Sequence, residues 1–393
     1  YTSKSGSSDS KNSEQQQYPI IMVHGGPSFT HNYMLPLKQQ ACRGRDVYFY
    51  DQTGCGESMI PKENKTQDFP HLLDPQYYAT VELPALITYW NLDKYHVVGN
   101  SWGTILLQYF ELNVKPNGLV SITLSGPLSD GDLYIASQWD AKQGNLASLP
   151  PFVQQRIHHL EYTKQYDSQE YLAINDALTT YFTVRTAPGP DCWQAAEAGA
   201  NKYIYDQMQG PSEFSFSGVL GHFNTTPRLH EFRVPTLLTS GAFDTMRPPC
   251  VEALYRNIPT VEWRMLRHSG HVSMIDDAGA MNDVVADFLN RVEENIGKQD
   301  NYFVPDLDAC GPPGCRSKYT DVPSSLSPSL PLSSSSASSS VSAAQDGSGV
   351  FTATFHRQYP LWMIIASFCA GALVNWIMIH SRRRTFPADY HRL

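Results

Sequence analysis

The sequence predicts an α/β fold in which a mostly parallel sheet carries helices on both faces and a helical insertion interrupts the strand pattern. Three observations predict it. Short apolar runs alternate with stretches of helical periodicity over residues 18–126, the alternation breaks over 127–231, and it resumes over 232–299. Strands that alternate with helices pair in parallel, because each return crossover lays a helix against the sheet.

Taken in order, YPIIMV (18–23) and VYFYD (47–51) are short apolar runs that end in Gly-punctuated turns, HGGP and DQTGCGES, as buried strands do. Helical spacing of apolar residues over 77–90 precedes a third strand, YHVVG (95–99). A helix over 104–111 and a fourth strand, GLVSITLSG (118–126), follow. Residues 127–231 are rich in Gln, Tyr and His, with helical stretches at 153–166 and 169–182, and read as a helical cap inserted into the sheet domain. PTLLTSG (235–241) and VEWRML (261–266) resume the strands, and an amphipathic helix over 278–296 closes the core.

The flanks differ in composition. Residues 1–17 are polar and read as a loop, and the chain begins at Tyr1 with neither Met nor a signal-like apolar region. Within 300–359 lies a Ser-rich tract, thirteen Ser between 324 and 348, too poor in apolar residues to order itself and read as a stalk. Residues 361–379 then run 19 positions without a charge. As a helix that run would reach roughly 28 Å, enough to cross a bilayer. Arg382, Arg383 and Arg384 follow it, so the reading is a transmembrane helix at 360–380, a basic cytoplasmic tail at 381–393, and a catalytic part in the lumenal or extracellular space. Two glycosylation triplets, at Asn64 and Asn224, are compatible with that route. So are six cysteines available for pairing: Cys42, Cys55, Cys192, Cys250, Cys310 and Cys315.

A net charge of -9 and the lack of a basic stripe exclude a nucleic-acid partner. No metal-ligand spacing and no nucleotide loop is present, so no cofactor is expected.

Gly99-Asn100-Ser101-Trp102-Gly103 fits G-x-S-x-G, and it falls after an expected strand and before an expected helix. That placement is the nucleophile turn of an α/β-hydrolase fold. A Ser hydroxyl needs a base, and the base needs a carboxylate to hold its tautomer. Asp244 stands just past the 235–241 strand and His271 past the next, in the chain order Ser, Asp, His. His268 is the rival base. Backbone N–H groups of Gly26 and Trp102 are the expected oxyanion donors. His24 reads as a loop histidine that shapes the HGG turn.

HGGP (24–27), DQTGCGES (51–58), GNSWGT (99–104) and the SGH that ends at His271 together resemble the proline iminopeptidase family of the α/β-hydrolase superfamily. The resemblance spans 18–296. It implies a serine aminopeptidase that releases an N-terminal residue, proline or another small apolar one, from a peptide with a free N-terminus. It also implies that Glu213, in QMQGPSEF, binds the substrate ammonium. Members carry leading strands before HGG, so sequence before Tyr1 is expected. Thr245 stands where some relatives have a second acid, Thr53 where prolyl-specific members have Arg, and Ser28 where they have Gly. An esterase or amidase acting on another acyl group is the alternative.

Overall fold

The computed structural model describes residues 2–3, 17–60, 66–186 and 188–296. Its sheet is built from β1 (Thr2–Ser3), β2 (Ile20–Val23), β3 (Val47–Phe49), β4 (Tyr95–Asn100), β5 (Leu119–Ser125), β6 (Thr236–Gly241) and β7 (Val261–Leu266), in the order β1-β3-β2-β4-β5-β6-β7. All neighbours are parallel except β1, which pairs antiparallel with β3. The strand order reverses beside β2 and β4, which puts the C-terminal ends of the central strands at a switch point where open sheets hold functional groups.

Alternate residues of the central strands feed opposite faces. Ile21, Val23, Val97, Ile122 and Leu238 pack into one core, and Ile20, Met22, Val98 and Leu237 into the other. Both faces are covered, as the near-continuous apolar runs require. Covering helices include α1 (Pro75–Tyr77) and α2 (Leu83–Tyr89), joined through the wider turn Tyr78–Glu82, and α3 (Trp102–Tyr109). Between β5 and β6 lie α4 (Gly131–Gln138), α5 (Pro151–Tyr162), α6 (Gln169–Leu178), α7 (Asp191–Ala198) and α8 (Lys202–Met208). After β6 come α9 (Pro248–Asn257), α10 (Ser273–Asp276) and α11 (Ala278–Asn295).

Two stretches depart from the pattern reading. Residues 1–17 contain the edge strand β1, where only a loop was expected. Residues His31–Arg43 form a tightly wound helix although Pro36 interrupts their periodicity. Tertiary contact decides the second case: Tyr33, Met34, Leu37 and Gln40 are buried, and Gln40 Nε2 donates to the Asn282 carbonyl of α11 at 2.8 Å. Thr30 caps its start and Gly44, at φ 94°, closes its end.

The membrane placement is corrected. No helix among the described residues is long and apolar enough to cross a membrane; α11, their longest, alternates buried residues with charged ones along a single covered stripe. The 360–380 segment, the 300–359 stalk and the 381–393 tail lie outside the described residues, and a single-pass protein with a lumenal or extracellular domain is not retained. Cys42, Cys55, Cys192 and Cys250 are free thiols, and Cys310 and Cys315 lie outside the described residues. Asn224 Nδ2 donates to Asp130 Oδ2 at 2.7 Å, which engages the nitrogen a glycan would occupy.

One buried ionic cluster ties the sheet to its last helix. Glu293 of α11 accepts from Arg45 at 2.5 and 2.6 Å, from His96 Nε2 at 3.1 Å and from the Tyr18 N–H at 2.7 Å. Burial acts to raise the Glu293 pKa, but the bonds from His96, Arg45 and Tyr18 outweigh it and lower it from 4.5 to about 2. A depressed carboxylate stabilises the fold above its ordinary pKa and loses that contribution as pH falls through the folded value. Stability is therefore expected to fall between pH 4.5 and about 2. Replacing Glu293 by Gln strands the buried Arg45 charge; in denaturant titrations at neutral pH it is expected to cost about 3–5 kcal/mol, and to flatten the acid limb of the stability curve.

Candidate active site

Ser101 sits between the last residue of β4 and the first of α3, with φ 56° and ψ −125°. A β-substituted residue in that region costs about 1–3 kcal/mol, so the surroundings must hold it there. They do so from both sides. The Ser101 N–H donates to the Ser125 carbonyl at 3.0 Å, and the Thr104 N–H and Oγ1 both donate to the Ser101 carbonyl at 2.7 Å. The turn also brings α3 close against β2: a Cβ on Gly103 would lie 2.3 Å from the Val23 carbonyl oxygen.

His271 and Asp244 meet beside this turn. Nδ1 of His271 is 2.7 Å from Asp244 Oδ1, and both side chains are almost wholly buried. The Asp244 carboxylate is fixed in turn by the Met246 N–H at 2.8 Å and the Gly241 N–H at 3.2 Å. Nε2 of His271 has no hydrogen-bond partner. Burial acts to lower the His271 pKa, yet the charge and hydrogen bond of Asp244, with the charge of Glu213, raise it above 6.5. His268, the rival, is exposed on the surface. Next to the ring is Gly126, at φ +58°, where a Cβ would lie 2.6 Å from His271 Nδ1 and Cε1. Only glycine adopts that backbone readily and leaves the ring its space.

Asn100 joins these pieces. Its Nδ2 donates to the Ser125 carbonyl at 3.1 Å and to the His271 carbonyl at 3.3 Å, while its Oδ1 accepts from Tyr33 OH at 2.9 Å. Tyr33 OH accepts in turn from the Gly25 N–H at 2.6 Å. One chain of hydrogen bonds thus links the HGG turn, the serine turn and the histidine loop. The DQ pair braces the same turn from behind: Gln52 Nε2 donates to the His24 carbonyl at 2.8 Å, and Gln52 Oε1 accepts from the Trp102 indole at 2.8 Å. His24 is fully buried and its pKa is lowered to about 4, chiefly by that burial. It receives the Gln52 N–H on Nε2 and packs as a structural ring.

Ser101, His271, Gly26 and Glu213 line one cavity of about 390 Å³, which Phe29 and Trp193 also wall. As first residue of α3, Trp102 has an N–H without an acceptor inside the helix. Glu213 Oε1 stands 3.5 Å from Tyr134 OH and 3.4 Å from Thr245 Oγ1. Burial raises its pKa above 4.5; Asp244 adds to the rise and His271 opposes it. Among the described residues no group of three or more His, Cys, Asp and Glu is arranged to hold a metal ion.

All six residues singled out from the sequence lie at or beside this cavity. Reading the sequence alone missed Asn100 as a brace, Tyr33, Gln52 and Gly126. Asn100 and Gln52 stood inside recognised motifs but their bonding partners are distant in sequence; Tyr33 and Gly126 carried no signal.

The parallel sheet, the strand-to-helix serine and the buried His–Asp pair define an α/β hydrolase, and residues 18–278 match the alpha/beta hydrolase fold family. The chain is 32% identical over 279 residues to the proline iminopeptidase of Clostridioides difficile (strain 630), a match covering 69% of this chain and 89% of that protein. With the proline iminopeptidase of Heyndrickxia coagulans it shares 33% over 275 residues, covering 70% and 91%. The crystal structure of the proline iminopeptidase of Mycobacterium smegmatis superposes with a TM-score of 0.66 at 26% identity, over 75% of this chain and 95% of that one. The chain belongs to the proline iminopeptidase family.

Two outcomes follow from the geometry. Gly126→Ala is expected to lower kcat by about a hundredfold or more by displacing His271, with far-UV dichroism unchanged. The reading of His271 as the base, which must be neutral to accept a proton, together with its raised pKa, predicts that kcat/KM falls on the acid side with a midpoint above 6.5.

Proposed function

We propose that the protein is a serine aminopeptidase that releases an N-terminal residue, proline or another small apolar one, through an acyl-enzyme. Ser101 Oγ attacks the carbonyl carbon of the first residue while His271 Nε2 takes the hydroxyl proton. Asp244 holds the ring through Nδ1 and stabilises the imidazolium. The oxyanion is met by the N–H groups of Gly26 and Trp102. His271 then gives its proton to the departing peptide nitrogen, the C–N bond breaks, and the acyl group remains on Ser101. Water attacks that ester with His271 as base again. The products are a free amino acid and a peptide one residue shorter.

Glu213 is the proposed partner of the substrate ammonium. An empty, partly buried carboxylate with a raised pKa gains most from a cation placed beside it, and Tyr134 and Thr245 orient its Oε1. Internal peptide bonds carry no such cation and are rejected. The observation that carries this reading is that Ser101, His271 and Glu213 line one cavity walled by Phe29 and Trp193, with Nε2 of His271 buried and free of any partner. The names of the relatives support proline as the released residue.

Prolyl and alanyl arylamides are expected to be cleaved and their N-acetylated forms left intact; equal turnover of blocked and free substrates would overturn amine recognition and favour an esterase or amidase. Ser101→Ala should reduce kcat by a factor on the order of 10⁶. Glu213→Gln should lower kcat/KM on free-amine substrates by about thirtyfold or more.

A further inference from the structure

The cavity has a wall that the chemistry above does not use. Asn175, Asp176, Thr179 and Thr183 line it from α6 and its continuation Thr179–Thr183, and Glu197 lines it from α7. Asn175, Thr179 and Thr183 are spaced four residues apart, so they present a polar stripe along one face. Two of its atoms are unsatisfied. Thr183 is only 8% exposed and its Oγ1 has no hydrogen-bond partner, and Asn175 Oδ1 also has none. A buried hydroxyl without a partner is costly unless something fills the space before it. Beyond the stripe, Asp176 and Glu197 are exposed and neither makes an ion pair among the described residues. Lys202, which also lines the cavity, is bound to Asp206 at 2.7 Å.

The position of this wall assigns its side of the reaction. The His271 N–H donates to the Phe182 carbonyl at 2.9 Å, and the Val272 N–H to the Thr183 carbonyl at 3.0 Å. Thr183 is therefore the stripe's nearest point to the ring that must protonate the departing nitrogen. Thr179 and Asn175 continue the cavity wall away from that point, and Asp176 and Glu197 line the same cavity.

We infer that Asn175, Thr179 and Thr183, with Asp176 and Glu197 at the mouth, form the subsite for the departing part of the substrate, and that it selects peptides basic just beyond the scissile bond over acidic ones. The inference rests on the aminopeptidase reading. Asp176 and Glu197, the second hydrogen-bonded by Trp193 and neither in an ion pair among the described residues, attract a Lys or Arg side chain and repel a Glu.

The test compares Pro-Ala-Lys-amide, Pro-Ala-Glu-amide and prolyl arylamide. At low salt the Lys peptide is expected to exceed the Glu peptide in kcat/KM by about three- to tenfold, the scale of exposed charge pairs, and the ratio should shrink towards one at about 1 M salt. Asp176→Asn combined with Glu197→Gln should bring the ratio within about twofold of one. A ratio near one in the wild type, or one that the double substitution leaves intact, overturns the subsite while arylamide turnover upholds the aminopeptidase reading. Absence of arylamide turnover overturns that reading and the subsite with it.

Discussion

The Asn100 side chain is the point at which three separately folded segments of the site are held together. It bonds to the β5 end at Ser125, to the histidine loop at the His271 carbonyl, and through Tyr33 to the HGG turn at Gly25. Each of these groups is buried, so each bond excludes an unpaired polar atom as well as fixing a distance. The strained backbone at Ser101 is tolerable because the residues on either side of it are committed to this lattice. Loss of the Asn100 bonds would let the serine turn, the histidine loop and the HGG turn relax independently.

Electrostatics complete what the bonding begins. Three buried or partly buried acids in and around the site, Asp51, Asp244 and Glu213, stand in three different situations. Asp51 is driven to about 2 although its burial pushes the other way, because His31 and the Glu57 N–H bind it, so it serves as a fixed strut. Asp244 is bonded to the imidazole and supports its positive form. Glu213 has neutral hydroxyl partners alone, Tyr134, Thr245 and Tyr205, and burial raises it, which leaves it as the group with most to gain from an incoming cation. Position within the hydrogen-bond lattice leaves the same functional group braced at Asp51, paired with an imidazole at Asp244 and raised at Glu213.

Much of this was legible in the sequence. The runs at β2, β4, β5 and β6 are short and carry no charged Asp, Glu, Lys or Arg because both faces of the strands are covered, and G-x-S-x-G between a strand and a helix announces its own turn. Asp244 and His271 were legible from chain order and from their place after strands. What was not legible depends on contacts between distant residues. The helix His31–Arg43 contains Pro36 and forms because its buried face packs on α11, and Tyr33 earns its role only when β4 lies beside it. Gly126 looks like any strand-ending glycine until His271 is found against it. The membrane reading failed because it rested on one apolar run that lies outside the described residues, and no described helix supports it.

The central claim is that Ser101 is a nucleophile activated by the His271–Asp244 pair. The most direct measurement is labelling with a fluorophosphonate, followed by peptide mapping and assay of residual arylamide activity. The account predicts one adduct per chain, on Ser101, loss of activity in proportion to labelling, and protection by a free-amine prolyl substrate. Full labelling with activity retained, or an adduct on a different residue, would contradict it.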